Sequence, residues 1–453
     1  MFKRFFAALT AVTIILTMAA CGGNETKRPD PELTEDGKKI VRVYTMYAHS
    51  EMQEDITLFN KFNNEYEVQL TELSSEYGDP IDQFNAAVAA GKYPDVIMYN
   101  KEGQFPIESY AQKGMLADFY ELIDNDPELS REDFSDVFKA FEWDGKLYRI
   151  FTSFCMYTAA GKTSVVGEEQ GLTVDRVIEL MEKCPDSPYS GEPDGVLSTF
   201  MTYGYENFID TANGECRFDS EEFIKLLEFC GRIPTVPEAK TSTEFQEAQR
   251  KRVYAMRSGT MPFYTINFST FSEIRAIEQR DFYDPVTFIG LPGAGGNGTV
   301  IEPVIYKFSV LANSANPEGG WEFVKYLLTG NRQDRLVKHG PFAVKRSALE
   351  AQAKEAQKLV WDSDEQDYVE PYCFDYTFSS NESPKKITIG ANTDEDNQRV
   401  YDLISGAVEL KYDPDVINII IEEAGAYFSG QKSAKEVAEI IQNRVQNYLD
   451  ENR

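Results

Sequence analysis

Apolar and polar positions along the chain alternate between a strand-like and a helix-like period. "KKIVRVYTMYAH", starting at Lys38, has the β-branched and aromatic density of a buried strand, and "DITLFNKFNNEYEVQL" predicts a helix running into a second strand. "PIDQFNAAVAAGKYPDVIMYN" repeats that order, with a helix stopped at Gly91 and a strand from Asp95 to Met98. Strands alternating with helices predict βαβ units and a parallel sheet. "DGKLYRIFTSFCMYTAAGK" is β-rich and long for one strand. Four later segments are helical. "TVDRVIELMEK" has Thr173 as N-cap, and "DSEEFIKLLEFC" places Phe223, Leu226, Leu227 and Cys230 on one face. "NPEGGWEFVKYLLTGN" starts with Asn316 as cap and Pro317 in the first turn. "SAKEVAEIIQNRVQNYL" opens with a capping box, Ser433 and Glu436, and buries Val437, Ile440, Ile441, Val445 and Tyr448.

The first residues follow a different rule. Lys3 and Arg4 precede an uncharged apolar run from Phe5 to Ala20, about four residues short of the ~20 that span hydrocarbon as a helix. That layout is a signal peptide. Met18, Ala19, Ala20 and Cys21 resemble a bacterial lipobox, which implies that residues 1–20 are removed and that Cys21 carries lipid; an ordinary cleaved secretory signal is the alternative. Residues 21–37, polar and without apolar periodicity, read as a flexible tether.

Composition narrows the function. With 75 acidic against 45 basic residues the net charge is −30, or −32 once Lys3 and Arg4 are removed, a field that repels nucleic acid and anionic lipid. The 453 residues fit two domains or lobes. Beyond Cys21, the five cysteines Cys155, Cys184, Cys216, Cys230 and Cys373 lack paired spacing and read mostly as buried thiols, with neither a metal site nor a disulfide framework. His49 and His339 are the only histidines, and no HExxH, GxSxG or Walker pattern occurs. "GAGGNG", Gly293 to Gly298, satisfies GxGxxG but runs into "TVIEPVIYKFSVLA", which is β-branched, so it reads as a flexible or cleft-edge loop. "DEDN", Asp394 to Asn397, lacks the Gly and the last Glu of a calcium loop. No catalytic residue, cofactor or metal is expected. A glycoside hydrolase with paired carboxylates remains the enzymatic alternative, because that chemistry depends on spatial separation.

Together, "FNAAVAAGKYPDVIMYN", "DGKLYRIFTSF", "ENFIDTANGECRFDSEEFIKLLEFC", "IEPVIYKFSVLANSANPEGGWEFVKYLL" and "AYFSGQKSAKEVAEIIQNRVQNYL" resemble the extracellular solute-binding lipoproteins (family 1) of bacterial carbohydrate ABC transporters, the maltose- and multiple-sugar-binding proteins. The resemblance spans roughly residues 40–450. It implies a two-lobed, periplasmic-binding-protein-like α/β fold, with parallel sheets wrapped by helices and a hinge. Lobe 1 would comprise 38–153 and 311–355, and lobe 2 would comprise 154–306 and 356–453. Hinge residues would be Ser153, Phe154, Lys307 and Phe308, with crossings near 153 and 307–310. It also implies a monomer on the extracellular face of the membrane that delivers a carbohydrate to permease subunits, or a same-fold receptor for another solute.

Ligands of parallel α/β sheets bind beyond the carboxyl ends of strands, and sugars need aromatic platforms with polar neighbours. That selects Tyr47, His49, Glu76, Tyr77, Asp79 and Asn100 from the first lobe, and Tyr157, Tyr203, Tyr205, Asn267, Phe268 and Tyr372 from the second. The Trp platforms usual in the family are not evident, since Trp143, Trp321 and Trp361 lie in segments that read as surface turn or helix.

Overall fold

The computed structural model describes residues 28–46, 50–74, 76, 78–100, 105–184, 192–211, 213–233, 241–375, 383 and 385–451. Cys21, Tyr47, His49 and Tyr77 lie outside them.

The predicted βαβ units form. β1 (Lys39–Thr45), helix α1 (Ser50–Phe62), β2 (Tyr66–Glu72), the helix Pro80–Ala89 and β3 (Val96–Tyr99) follow in order, and the strands pair in parallel. Gly91 stops the helix before β3 at φ +73°, a conformation glycine adopts without steric cost. The sheet continues antiparallel, through the strand Lys307–Val310 to β4 (Ile150–Phe151).

The predicted long strand is two strands in two sheets. Only Thr152 separates β4 from β5 (Ser153–Lys162), the centre of the second sheet. Along β5 run the antiparallel strands Tyr264–Phe268, Val286–Phe288, Val300–Pro303 and Phe342–Ala343. Among the described residues, Val300–Pro303 with Val408–Glu409 is the one parallel strand pair of this sheet, so the parallel order expected of both lobes is carried mainly by β1–β3. The reason is local: near β5 the chain returns as neighbouring strands in the reverse direction, and direct hydrogen bonding then gives antiparallel ladders.

Among the described residues, three links join the sheets. The first is Thr152, which accepts from the Gln333 Nε2 at its carbonyl (2.9 Å) and from the Arg332 Nε at its hydroxyl (3.2 Å). The second is Val304–Tyr306, just before the expected hinge positions; Lys307 and Phe308 already belong to the first sheet. Here Ile305 sits at φ +74° and the Tyr306 N–H donates to the Val304 carbonyl (3.0 Å), a three-residue turn that costs a β-branched residue about 1–3 kcal/mol. The third passes through the helices Pro317–Thr329 and Asn331–His339 to Phe342–Ala343, which pairs with Phe154 and Ser153. Within 311–355, expected wholly in the first lobe, this strand therefore lies in the second sheet.

The caps hold. Thr173 Oγ1 accepts from the Arg176 N–H, Asn316 Oδ1 from the Gly319 N–H, and Ser433 and Glu436 cap reciprocally. Phe223, Leu226, Leu227 and Cys230 are buried, as are Val437, Ile441 and Val445, while Ile440 and Tyr448 are half-buried. Of the five described cysteines, all free, Cys155 and Cys230 are buried and Cys184, Cys216 and Cys373 only partly so. Trp321 is a buried helix residue donating to Asp126, whereas Trp361 is an exposed strand residue. Residues 28–37 are not a free tether: Leu33 forms a bridge with Lys39, and the Ile40 N–H donates to the Glu32 carbonyl.

The packing separates two sides. On one side, a single core runs beneath both sheets and includes Val41, Val96, Phe154, Met156 and Phe268. On the other, the first sheet has its own core (Phe84, Ile97, Tyr99, Tyr110) and the second another (Phe200, Phe223, Val416, Val437). The two lobes are thus joined along one side and packed separately on the other.

Candidate functional site

Strand alternation decides which residues face the divided side. Along β5, Phe154 and Met156 enter the shared core, so Cys155 and Tyr157 point the opposite way. Glu302 stands opposite Cys155 in the register and Asn267 opposite Tyr157, which puts four polar side chains on one face, with Cys155 and Tyr157 three and five residues past Thr152.

Glu302 is the hub. Its exposed carboxylate lies 3.8 Å from the Cys155 Sγ, and its charge acts on the Tyr157 hydroxyl. Burial first, and then the Glu302 charge, pushes the Cys155 thiol up to about 12 and the Tyr157 hydroxyl up to about 12, while hydrogen bonds to Asn267 act the other way. Tyr203, half-buried at the end of the helix Pro193–Tyr203, has its hydroxyl pushed up by burial and then by the Glu302 and Tyr412 charges. Both phenols stay neutral donors at physiological pH. A carboxylate, an amide and two phenols form a surface suited to neutral hydroxylated molecules rather than to anions. Because the thiolate is the reactive form, Cys155 should alkylate very slowly with iodoacetamide at pH 8, and Glu302→Gln should accelerate it. Mass spectrometry of the native protein reads both rates, and equal rates would remove Glu302 from the cluster.

Across the links, the Lys307 ammonium lies 5.9 Å from the Tyr99 ring centroid, on the same side of the first sheet as that sheet's separate core. Asn100 follows Tyr99, half-buried, at the edge from which the first two links depart. Asp79 and Glu76 lie on the loop beyond β2; Asp79 accepts from the Ile81 and Asp82 N–H groups as a helix cap, and Glu76 is exposed.

Three predicted site residues go elsewhere. Phe268 is fully buried against Phe288 and Phe342, because one step along its strand from Asn267 reverses the face. Tyr205 is buried in the second lobe's core. Tyr372 belongs to the hairpin Tyr372–Phe374 with Lys386–Thr388, its ring under the Lys386 ammonium at 4.0 Å, and that hairpin is tied by Arg257–Asp375 to the shared-core side. Sequence reasoning missed Glu302 and Cys155. The signal for Glu302 was present, as the single carboxylate in the apolar run "TVIEPVIY".

"GAGGNG" does precede a strand, Val300–Pro303, and it is packed rather than loose: Gly293 abuts Gly204, and the Asn297 side chain donates to the Asp402 and Leu403 carbonyls. Asp394–Asn397 is the first turn of the helix Asp394–Ser405, closed by a capping box from Thr393. No group of metal ligands occurs among the described residues. A groove of about 340 Å³, lined by Asp136, Arg346, Tyr401 and Asp402 among others, lies on the shared-core side and contains none of the predicted residues.

The family model described as "bacterial extracellular solute-binding protein" matches residues 57–359, about two thirds of the chain. The chain belongs to that family. Solved structures share the fold of this solute-binding protein. The sugar-binding protein MalE from Xanthomonas citri is 15% identical with a TM-score of 0.55, covering 92% of this chain and 98% of its own. An extracellular solute-binding protein family 1 member from Alicyclobacillus acidocaldarius is 14% identical at 0.51, covering 91% and 98%. The cyclic alpha-maltosyl-1,6-maltose binding protein from Arthrobacter globiformis is 14% identical at 0.50, covering 92% and 100%. No curated protein sequence matches the chain. These likenesses establish two lobes of mixed α/β structure; the ligand has to be argued from the side chains. No described helix of this solute-binding protein is long and apolar enough to cross a membrane.

Proposed function

We propose that this solute-binding protein captures a carbohydrate between its lobes without chemical change and delivers it to the permease subunits of an ABC transporter, as a lipid-anchored monomer. The observation that carries the reading is the Glu302 cluster: on the side where the lobes have separate cores, the exposed Glu302 carboxylate and the Asn267 amide flank β5 with its Tyr157 from the strands on either side, and Tyr203 lies within the field of the Glu302 charge. Sugar hydroxyls both donate and accept, so a carboxylate, an amide and phenols can pair with several at once, and the rings cover C–H faces. Glu76, Asp79, Asn100 and Lys307 would meet the ligand from the first lobe as the hinge closes. Two neighbours named for binding sugar or a maltosyl saccharide agree with this choice. Closure around ligand would present a surface that the open form lacks, provided the ligand binds the closed form more tightly.

A thermal-shift screen against neutral oligosaccharides is the test. A ligand at ~100 times its Kd adds about 2.7 kcal/mol, a clear rise in melting temperature, and Tyr203→Ala should reduce that rise without lowering the unliganded melting temperature much. No shift with any glycan would overturn the carbohydrate reading, and product formation would overturn the non-catalytic one.

A further inference from the structure

The groove of about 340 Å³ on the shared-core side is built from three segments that meet only in the folded chain. Gln398, Tyr401, Asp402 and Ser405 recur at the three- and four-residue spacing that places side chains on one face of the helix Asp394–Ser405, and Arg346, Leu349 and Glu350 do the same on the helix Arg346–Glu355. Ser135 and Asp136 come from the chain between β3 and β4. Leu349 and Ile404 are buried and supply apolar surface, and Tyr401 is half-buried with its ring edge-on to Phe271 at 5.2 Å.

The charges in the groove are unevenly matched. Arg346 is the one cation among the residues that line it, and it is already engaged: it lies 3.5 Å from Asp136 and donates to the Glu132 and Phe134 carbonyls at 2.8 and 2.7 Å. Asp136 has a second cation, Lys139, at 3.1 Å. Glu350 and Asp402 form no ion pair among the described residues, and the Asp402 carboxylate accepts from the Gln398 Nε2 (2.8 Å). Beside them lies a hydroxyl with nothing to bond. Ser135 is 5% exposed, its N–H donates to the Val344 carbonyl (2.8 Å), and its Oγ neither caps the turn that follows nor meets another hydrogen-bond partner among the described residues. Leaving a buried hydroxyl unpaired is costly, and a bound donor would remove that cost. Burial first, and then the Glu350 charge, pushes the Tyr401 hydroxyl up to about 12, while Arg346 acts the other way. The phenol stays neutral, and its ring can face a cation.

We propose that this groove binds a small organic ammonium ion with a short apolar stem, at a site separate from the Glu302 cluster. A primary ammonium carries three donors and no acceptor, which suits Glu350, Asp402 and the Ser135 hydroxyl, and the stem covers Tyr401, Leu349 and Ile404. An anion would meet two uncompensated carboxylates, and a neutral alcohol would leave both without a counter-ion. The volume falls at the lower end of the range of small-molecule sites, about 300–1,000 Å³. The proposal does not depend on what the inter-lobe side takes up.

Calorimetric titration of the full chain with n-butylammonium chloride tests it, with 1-butanol as the neutral match and the ionic strength held constant. Butylammonium should give a saturable isotherm and 1-butanol none. Glu350→Gln combined with Asp402→Asn should weaken binding about tenfold or more, and Ser135→Ala about threefold. Ser135→Ala should also keep or raise the melting temperature, because it removes an unpaired buried hydroxyl, so its lower affinity would not be a loss of fold. No saturable heat, equal heats from the amine and the alcohol, or an affinity that falls in Glu302→Ala but not in the Glu350 and Asp402 double variant would each overturn the site.

Discussion

Replacing Arg149 with alanine should lower the free energy of unfolding by about 3–5 kcal/mol, the usual result of stranding a buried charge. Arg149, just before β4, pairs with Glu409 of the strand Val408–Glu409, and both side chains are at least nine-tenths buried. The guanidinium also lies 5.4 Å from the Phe141 ring centroid. The pair joins a residue beside the first sheet to one in the second, so its loss should loosen the attachment of the lobes as well as the core. Alanine leaves Glu409 without its counter-ion in a place that water reaches poorly. Urea unfolding followed by tryptophan fluorescence measures the change. Replacing both residues at once, Arg149→Met with Glu409→Leu, should recover most of the loss, because the charge and its desolvation disappear together. A single-mutant loss below 1 kcal/mol would show that the pair is solvated in solution.

The second large effect is on binding. Glu302→Ala should weaken carbohydrate affinity by about 10- to 100-fold, since hydrogen bonds to a charged group contribute about 1.5–3 kcal/mol. Stability should change little, because the Glu302 side chain is exposed. Glu302→Gln keeps the shape and one acceptor, so it should fall between the two. Calorimetric titration with the best glycan from the panel reads the affinity, and a change below twofold for Glu302→Ala would remove this carboxylate from the site.

Much of the local structure was legible along the chain. A cap such as Asn316 or Ser433 acts within one turn of its own helix, and the period of Phe223, Leu226, Leu227 and Cys230 fixes a buried face wherever the helix packs. The switch from β4 to β5 was legible as an over-long β-rich run, but its place was not, because leaving one sheet for another at Thr152 depends on Arg332 and Gln333, far along the chain.

The candidate site divides the same way. Tyr157, Tyr203 and Asn267 were identified as polar or aromatic groups beyond strand ends, and Tyr157 and Asn267 meet because their strands pair directly, with Glu302 on the strand along the other side of β5. Phe268 and Tyr205 met the same sequence criterion and entered cores, for burial on a strand depends on which face meets a neighbour, and one residue reverses that face. Tyr372 was separated from the others by a hairpin anchored through Asp375 to Arg257 and Tyr283.

By itself, then, the sequence determined the helices and their caps, the βαβ start and the acidic character, because these depend on short-range geometry or on totals. Only the tertiary structure decided the antiparallel second sheet, the three links, the shared core on one side and the Glu302 cluster on the other. Each of those depends on which distant segments pair across the two sheets, and that pairing is set by how whole faces bury one another rather than by any one stretch of residues.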